Sequence, residues 1–225
     1  MFSKTKTRIA TPTATEPKRL TLMKIICIGR NYHDHIDEMN SPTPEEPLFF
    51  LKPETALIRA GLPFFIPDFS SEIHHEVELV IRICKVGKHI QPRFAHTYFR
   101  EIGIGIDFTA RDLQQECIQK GLPWEKAKAF DGSAPVSQMK ALSGLNKRDA
   151  IAFSLKKNGE TVQQGLSSDM IHSFDQLIAH VSKYVTLKIG DLLFSGTPAG
   201  VGKVEAGDRL EAFLEEEKML DLDIR

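Results

Sequence analysis

The residues with the clearest chemical potential form one short cluster, His74-His75-Glu76-Val77-Glu78. The segment 76–84 is dominated by β-branched residues, which is typical of a strand. Side chains alternate between the two faces of a strand, so Glu76 and Glu78 share a face with their Cα atoms about 7 Å apart. Two carboxylates beside an apolar run are costly to bury unless water or a cation compensates them. The spacing leaves two possibilities open: ligands of a hard divalent cation such as Mg²⁺, or an edge strand whose glutamates face solvent.

A third acid, Asp107, directly follows the strand predicted for residues 102–106. Gly103 and Gly105 alternate in that strand, which indicates that a neighbouring group packs close to its backbone. Three carboxylates with open coordination positions suit Mg²⁺ or Mn²⁺ and leave room for substrate and water. Spacing alone does not establish that Asp107 meets Glu76.

The elements that must position these acids are mostly strands. Short apolar runs predict strands over 25–28, 48–51, 56–58, 76–84, 102–106, 152–157, 161–164 and 192–195. Asn158-Gly159 between two of them predicts a hairpin. Helices are expected over 110–120, capped by Gly121, and over 173–182. The pattern predicts one mainly β domain with a few helices, of the α+β class, over residues 23–225. Residues 1–22 are rich in Thr, Lys and Arg and are expected to form a disordered extension.

Charge and composition limit the classes of partner. Lys plus Arg is 29 and Asp plus Glu is 30, a net charge of -1, which argues against nucleic acid or an anionic membrane surface. The sequence contains no apolar run of the roughly 18 residues that span a bilayer. Its three cysteines lack metal-ligand spacing and favour a reducing, cytoplasmic setting.

Several motifs in a fixed order resemble the fumarylacetoacetate hydrolase family, from about Lys24 to about Arg209. The motifs are Gly29-Arg30-Asn31-Tyr32 with His35 and Glu38, Phe50-Leu51-Lys52-Pro53, His75-Glu76-Val77-Glu78-Leu79, Asp107-Phe108-Thr109-Ala110-Arg111-Asp112, Gly121-Leu122-Pro123-Trp124 with Lys128-Ala129-Phe130-Asp131, and Ser195-Gly196-Thr197-Pro198. The short chain is most similar to the acylpyruvase and oxaloacetate decarboxylase branch. The tail after Arg209, with Glu215-Glu216-Glu217, does not match clearly and is expected to be a solvated surface or a frayed end.

The resemblance implies a mixed β-roll, usually a homodimer, and a role for each matching residue. The implied metal ligands, for Mg²⁺ with Mn²⁺ as a substitute, are Glu76, Glu78 and Asp107. The implied catalytic residues are His35, Glu38 and Lys128, and the implied substrate-binding residues are Arg30, Arg111, Gln114 and Thr197. His35 and Glu38 are three residues apart, so they share a face if the segment is helical. They are expected to lie on a lid, residues 31–46, that orders over the substrate.

The resemblance also implies a reaction. The expected enzyme is a divalent-metal-dependent hydrolase or lyase that cleaves the C3–C4 bond of small 2-oxo acids through a metal-bound enolate. Acylpyruvates are the expected substrates, with oxaloacetate decarboxylation as a second activity. The alternative is a hydratase or isomerase of 2-hydroxy-dienoates, because bacterial family members of this size are often so described.

Overall fold

The computed structural model describes residues 24–58, 61–145 and 150–225, so the expected extension 1–22 lies outside the described residues. The strands are β1 Ile25–Gly29, β2 Leu48–Lys52, β3 Ile73–His75, β4 Val77–Ile83, β5 Phe99–Ile106, β6 Thr109–Ala110, β7 Lys140–Ala141, β8 Ala152–Lys157, β9 Glu160–Leu166, β10 Leu192–Phe194, β11 Gly202–Lys203, β12 Arg209–Leu214 and β13 Glu217–Asp223. The helices are α1 His33–Glu38, α2 Pro92–Ala95, α3 Arg111–Lys120, α4 Glu125–Lys128 and α5 Phe174–Tyr184. The fold is mainly β with short helices, as predicted.

The largest sheet has six strands in the order β2-β1-β10-β4-β5-β7. Strand β1 runs parallel to β10, and the other neighbours are antiparallel. Strand β4 is therefore an interior strand, and its faces are both buried, with Leu79 and Val80 fully inaccessible. The alternative of a solvent-facing edge strand for Glu76 and Glu78 is wrong, because β10 and β5 pair with β4 on either side.

Strands β4 and β5 of this sheet connect at neighbouring positions to strands of a smaller sheet. A smaller sheet has the order β11-β3-β6, and Glu76 lies at the break between β3 and β4. Asp107 lies at the matching break between β5 and β6, and its backbone N–H donates to the Glu76 carbonyl at 2.8 Å. The antiparallel pairing of β4 with β5 therefore brings together two acids that are 31 positions apart in the sequence.

The close packing expected at the β5 glycines is present. A Cβ on Gly105 would lie 2.6 Å from the ring of Phe194, a separation that side chains do not adopt. The glycine therefore lets β10 and β5 flank β4 without a steric conflict.

The third sheet has the order β13-β12-β8-β9. Asn158 and Gly159 form the predicted hairpin turn between β8 and β9, both at positive φ. The prediction of a frayed end is wrong, because residues 209–223 form the β12–β13 hairpin, whereas Glu216 and Glu217 at its turn are exposed, as the alternative of a solvated surface expected. Leu210 and Leu222 on this hairpin are buried in the core.

One predicted strand is also wrong. Residues 54–56 form a 3₁₀ turn after Pro53, and Leu57 and Ile58 belong to no strand. The two predicted helices are present: Gly121 caps α3 in the left-handed conformation, and Ser173 and Gln176 form a capping box at α5. None of the described helices has the length and apolar character needed to cross a lipid bilayer.

Candidate active site

Three buried carboxylates converge where the two sheets meet. Glu76, Glu78 and Asp107 each offer an oxygen, and these oxygens all lie within 4.8 Å of one another. All three residues are buried, with relative exposures of 5%, 1% and 1%. The alternation within β4 and the pairing with β5 together place the three acids that the sequence singled out into one cluster.

Basic groups hold two of the three acids. Lys128 Nζ donates to Glu76 at 2.8 Å and to Asp107 at 2.9 Å. Arg111 also pairs with Glu76, and Lys52 Nζ lies 2.6 Å from Asp107 Oδ1. These contacts come from three different elements, α3, α4 and β2.

Glu78 differs from its two neighbours. Its Oε2 accepts a hydrogen bond from the Gly196 backbone N–H at 2.7 Å, and no described basic side chain forms an ion pair with it. Burial, followed by the charges of Asp107 and Glu76, raises the pKa of the Glu78 carboxyl well above its usual value. A cation among the three oxygens would offset that repulsion, and carboxylate oxygens are the ligands that hard divalent cations prefer. The cluster therefore fits a divalent cation.

The pKa of Glu76 moves in the opposite direction. Burial opposes its ionisation, but the charges of Lys128 and Arg111 outweigh that effect and hold the pKa well below its ordinary value. Burial likewise opposes the charged form of Lys128, but Asp107 and Glu76 raise its pKa above the ordinary value. Glu76 is therefore anionic and Lys128 cationic at neutral pH.

A narrow pocket with a volume of about 60 Å³ opens onto the triad. Its lining includes all the predicted site residues except Glu38, namely Arg30, His35, Glu76, Glu78, Asp107, Arg111, Gln114, Lys128 and Thr197. Apolar side chains complete the wall, including Ile28, Ile36, Met39, Phe50, Ile118 and Trp124. This combination of charged and apolar groups around a small volume suits a small polar ligand.

Helix α1 carries the histidine–glutamate pair. His35 Nδ1 lies 3.3 Å from Glu38 Oε2, and Glu38 Oε1 accepts from the Gly200 N–H at 3.0 Å. His35 is 7% exposed and lines the pocket, whereas the Glu38 side chain is 32% exposed. A carboxylate that orients an imidazole in this way is an arrangement suited to general acid–base chemistry.

The predicted substrate-binding residues have different environments. Arg111 donates to Gln114 Oε1 at 2.5 Å, one turn along α3 as their spacing suggested. Arg30 adopts a left-handed backbone with a φ of 59° immediately before the segment that leads into α1. The Thr197 hydroxyl already donates to the Val77 carbonyl at 2.9 Å, so it also braces β4.

Three buried polar residues at the site were not predicted to have a role. Lys52 is 1% exposed and contacts Asp107. Gln163 donates to Thr197 Oγ1 at 2.9 Å and accepts from the Val77 N–H at 3.0 Å. Asn31 donates to the Ser195 carbonyl at 2.8 Å. Lys52 had a sequence signal, a lysine that ends the apolar run 48–51, but Gln163 had none.

Part of the lid expected over residues 31–46 is helix α1, which contributes His35 and Ile36 to the pocket lining. Ile36 is buried, and Glu38 is anchored to Gly200. We predict that residues 31–46 exchange amide hydrogens faster in the free protein than with Mg²⁺ and oxalate, a small dicarboxylate, bound, because no residue over 37–46 is buried. Hydrogen exchange read by mass spectrometry measures the difference, with β4 peptides as the unchanged reference. Equal protection of the lid in both states would contradict a moving lid.

A buried acid cluster and a histidine–glutamate pair beside one small pocket lined by charged side chains define a candidate enzyme site. Residues 24–221 match the family model described as fumarylacetoacetate (FAA) hydrolase C-terminal. The chain belongs to the fumarylacetoacetate hydrolase family.

Individual relatives are similar over most of their length. The mitochondrial oxaloacetate tautomerase FAHD1 of Mus musculus is 44% identical over 188 residues, which cover 84% of this chain and 85% of the relative. The oxaloacetate tautomerase YcgM of Escherichia coli is also 44% identical, over 83% of this chain and 86% of its own. The crystal structure of fumarylpyruvate hydrolase from Pseudomonas aeruginosa in complex with Mn²⁺ and pyruvate superposes with a TM-score of 0.86 at 32% identity, covering 97% of this chain and 99% of that one.

Proposed function

We propose that this enzyme acts on small 2-oxo acids with a divalent cation held by Glu76, Glu78 and Asp107. Mg²⁺ is the proposed resident ion, with Mn²⁺ as a substitute. The observation that carries the proposal is the triad of buried carboxylates in the same pocket as His35. The related fumarylpyruvate hydrolase was crystallised with Mn²⁺ and pyruvate, a 2-oxo acid, which supports both the ion and the class of substrate.

With a cation bound, the charges around the pocket would favour an anionic substrate, because Arg30, Arg111 and Lys128 already balance the three carboxylates. The cation would polarise the 2-oxo group and stabilise charge that develops on its oxygen. Lys128 and Arg111 line the same pocket and add positive charge where an enolate oxygen would form. Arg30 also lines it and is the proposed partner of the substrate carboxylate.

The proposed reaction is cleavage of the C3–C4 bond of short acylpyruvates. Glu38 orients His35, which removes a proton from a water molecule that attacks the 4-oxo carbon. Breaking the C3–C4 bond then leaves the enolate of pyruvate, and His35 returns a proton to complete the reaction. Decarboxylation of oxaloacetate breaks the same bond without a nucleophile, so we propose it as a second activity.

Tautomerisation of oxaloacetate is a second candidate, and the two tautomerases at 44% identity favour it. The same residues suit this reaction, because His35 can move a proton at C3 while Lys128 and Arg111 stabilise the enolate. Hydration or isomerisation of a 2-hydroxy-dienoate is a third candidate, and it would develop negative charge on the substrate oxygen in a similar way. All of these reactions would use the same proposed site, so assays on different substrates are needed to distinguish them.

The deciding experiment assays the purified enzyme with Mg²⁺ on acetylpyruvate, enol-oxaloacetate, keto-oxaloacetate and a 2-hydroxy-dienoate. Cleavage of acetylpyruvate supports the hydrolase, and accelerated loss of enol absorbance with conserved total oxaloacetate supports the tautomerase. If only the dienoate reacts, the proposed C3–C4 cleavage is wrong.

Removal of the cation should abolish every one of these activities. We expect exhaustive chelation to reduce turnover to background and Mg²⁺ or Mn²⁺ to restore it, because the three acids alone repel an enolate. Reconstitution with Ca²⁺ is the control for charge without the preferred octahedral geometry. Full turnover after chelation, with residual metal measured by elemental analysis, would contradict the metal requirement.

Two further expectations complete the proposal. The enzyme is expected to be a homodimer, which sedimentation equilibrium tests directly. The expected cytoplasmic location is a separate proposal, since the mouse relative is named as mitochondrial, and imaging of the full chain in its own cell tests it.

A further inference from the structure

The two lysines at the acid triad differ in what surrounds them. Lys128 lines the pocket and contacts Glu76, Asp107 and the Thr109 hydroxyl. Lys52 does not line the pocket and is 1% exposed. It is among the largest fully buried side chains of the described residues, although lysine is almost never fully buried without a partner.

Fixed groups of the protein satisfy the Lys52 ammonium. Its Nζ lies 2.6 Å from Asp107 Oδ1, and it donates to the Ser133 carbonyl at 2.8 Å and to the Phe108 carbonyl at 3.3 Å. The two carbonyls accept hydrogen bonds from the ammonium group, and Asp107 supplies the opposite charge as an ion-pair partner. Because Lys52 is buried behind the pocket wall, a substrate in the pocket does not contact it.

We propose that Lys52 is a positioning residue that holds Asp107 in place as a permanent counterion and thereby weakens cation binding at the triad. This inference rests on the proposed cation site. Asp107 uses one oxygen for Lys52 and the other for Lys128. An incoming cation can displace Lys128, which is exposed to the pocket, whereas Lys52 stays beside Asp107 and repels the ion.

The arrangement has two consequences for the free protein. Lys52 neutralises a buried carboxylate whether or not a cation is present, so the site stays folded when the metal dissociates. The same charge reduces the gain from metal binding, so the cation remains exchangeable.

Replacement of Lys52 by methionine, which has a similar shape without the charge, tests the proposal. The melting temperature of the metal-free variant should fall by about 6–20 °C, because Asp107 loses a buried partner. At a fixed Mn²⁺ concentration, the Mn²⁺-induced rise in melting temperature should exceed the wild-type rise by about 3–5 °C, equivalent to tenfold tighter binding. Calorimetric titration with Mn²⁺ measures the same change directly.

Lys24→Met is the matched control. Lys24 pairs with Asp191, whose side chain is 0% exposed, in a lysine–aspartate pair outside the triad. That variant should also lose stability, but its Mn²⁺-induced rise should equal that of the wild type. A merely structural role for Lys52 would give the same result as this control.

The outcomes are separable. An Mn²⁺-induced rise in Lys52→Met that is equal to or smaller than the wild-type rise would overturn the inference. The absence of any Mn²⁺-induced rise in the wild type would instead overturn the proposed cation site.

If Lys52→Met does not fold, Asp107→Asn is compared with the double variant Lys52→Met/Asp107→Asn. The double variant should melt higher than Asp107→Asn, since it no longer buries a lysine without its Asp107 counterion, and a lower or equal value would refute the pairing.

Discussion

Glu76→Gln should reduce turnover of every 2-oxo acid substrate by roughly 10³-fold or more, the equivalent of several kcal/mol of lost charge stabilisation. The substitution keeps the shape of the side chain but removes one of the three ligand charges. It also releases Lys128 and Arg111, which both pair with Glu76. Steady-state assays on acetylpyruvate and oxaloacetate with saturating Mg²⁺ measure the loss.

Glu72→Gln is the matched control for this variant. Glu72 lies four residues earlier, just before β3, and its side chain is 43% exposed while it pairs with Lys203. Turnover of Glu72→Gln should stay within about twofold of the wild type, because exposed ion pairs contribute little. Near-wild-type turnover in Glu76→Gln, with a folded protein shown by circular dichroism, would remove the triad from the mechanism.

His35→Ala should reduce acylpyruvate hydrolysis by about 10²–10⁴-fold, the usual contribution of a general base. Decarboxylation of oxaloacetate should fall much less, because loss of carbon dioxide requires no activated water. If the enzyme is a tautomerase, that activity should fall with hydrolysis, since His35 moves the proton in both reactions. The ratio of the hydrolysis rate to the decarboxylation rate, measured on one preparation, therefore tests whether His35 contributes more to hydrolysis than to decarboxylation.

His33→Ala provides the comparison on the same helix. His33 is exposed, whereas His35 is buried and lines the pocket. We expect His33→Ala to retain full activity on all substrates. An equal loss of hydrolysis and decarboxylation in His35→Ala would refute a larger role for His35 in hydrolysis, but it would not contradict the proposed metal site.

Local periodicity explains which parts of the fold could be predicted. Alternation placed Glu76 and Glu78 on one face, and Asn158-Gly159 marked a hairpin, because both signals are contained within a few residues. The meeting of Asp107 with Glu76 could not be derived this way, because it depends on the antiparallel register of β4 and β5. The family resemblance supplied that pairing before the structure did.

The errors also have physical causes. In the sequence, β4 was compatible with an edge position because Glu76 and Glu78 at its start suggested exposure to solvent. In the structure both faces of the strand are buried. The acidic run Glu215-Glu216-Glu217 suggested a solvated tail, so the β12–β13 hairpin was missed. Apolar residues at every second position before it, Leu210, Ala212 and Leu214, are typical of a strand. Helix α1 has six residues and few apolar side chains, too short a run for a helical period to be visible.

Buried polar partners were the hardest features to predict. Gln163 contacts His75, Val77 and Thr197 from a distant hairpin, and nothing near it in the sequence indicates those contacts. Lys52 was visible in the sequence as a lysine that ends an apolar run, but its ion pair with Asp107 requires β2 and the end of β5 to be placed together. Such contacts are properties of the tertiary structure and not of any one segment.

The most direct test of the cation site is a crystal structure of the enzyme grown with Mn²⁺ and oxalate, a mimic of the pyruvate enolate, recorded with anomalous scattering. We expect one anomalous peak bounded by oxygens of Glu76, Glu78 and Asp107 at about 2.0–2.3 Å, with oxalate completing the coordination. Absence of a peak between these three side chains, or a peak elsewhere with oxalate outside the pocket, would contradict it.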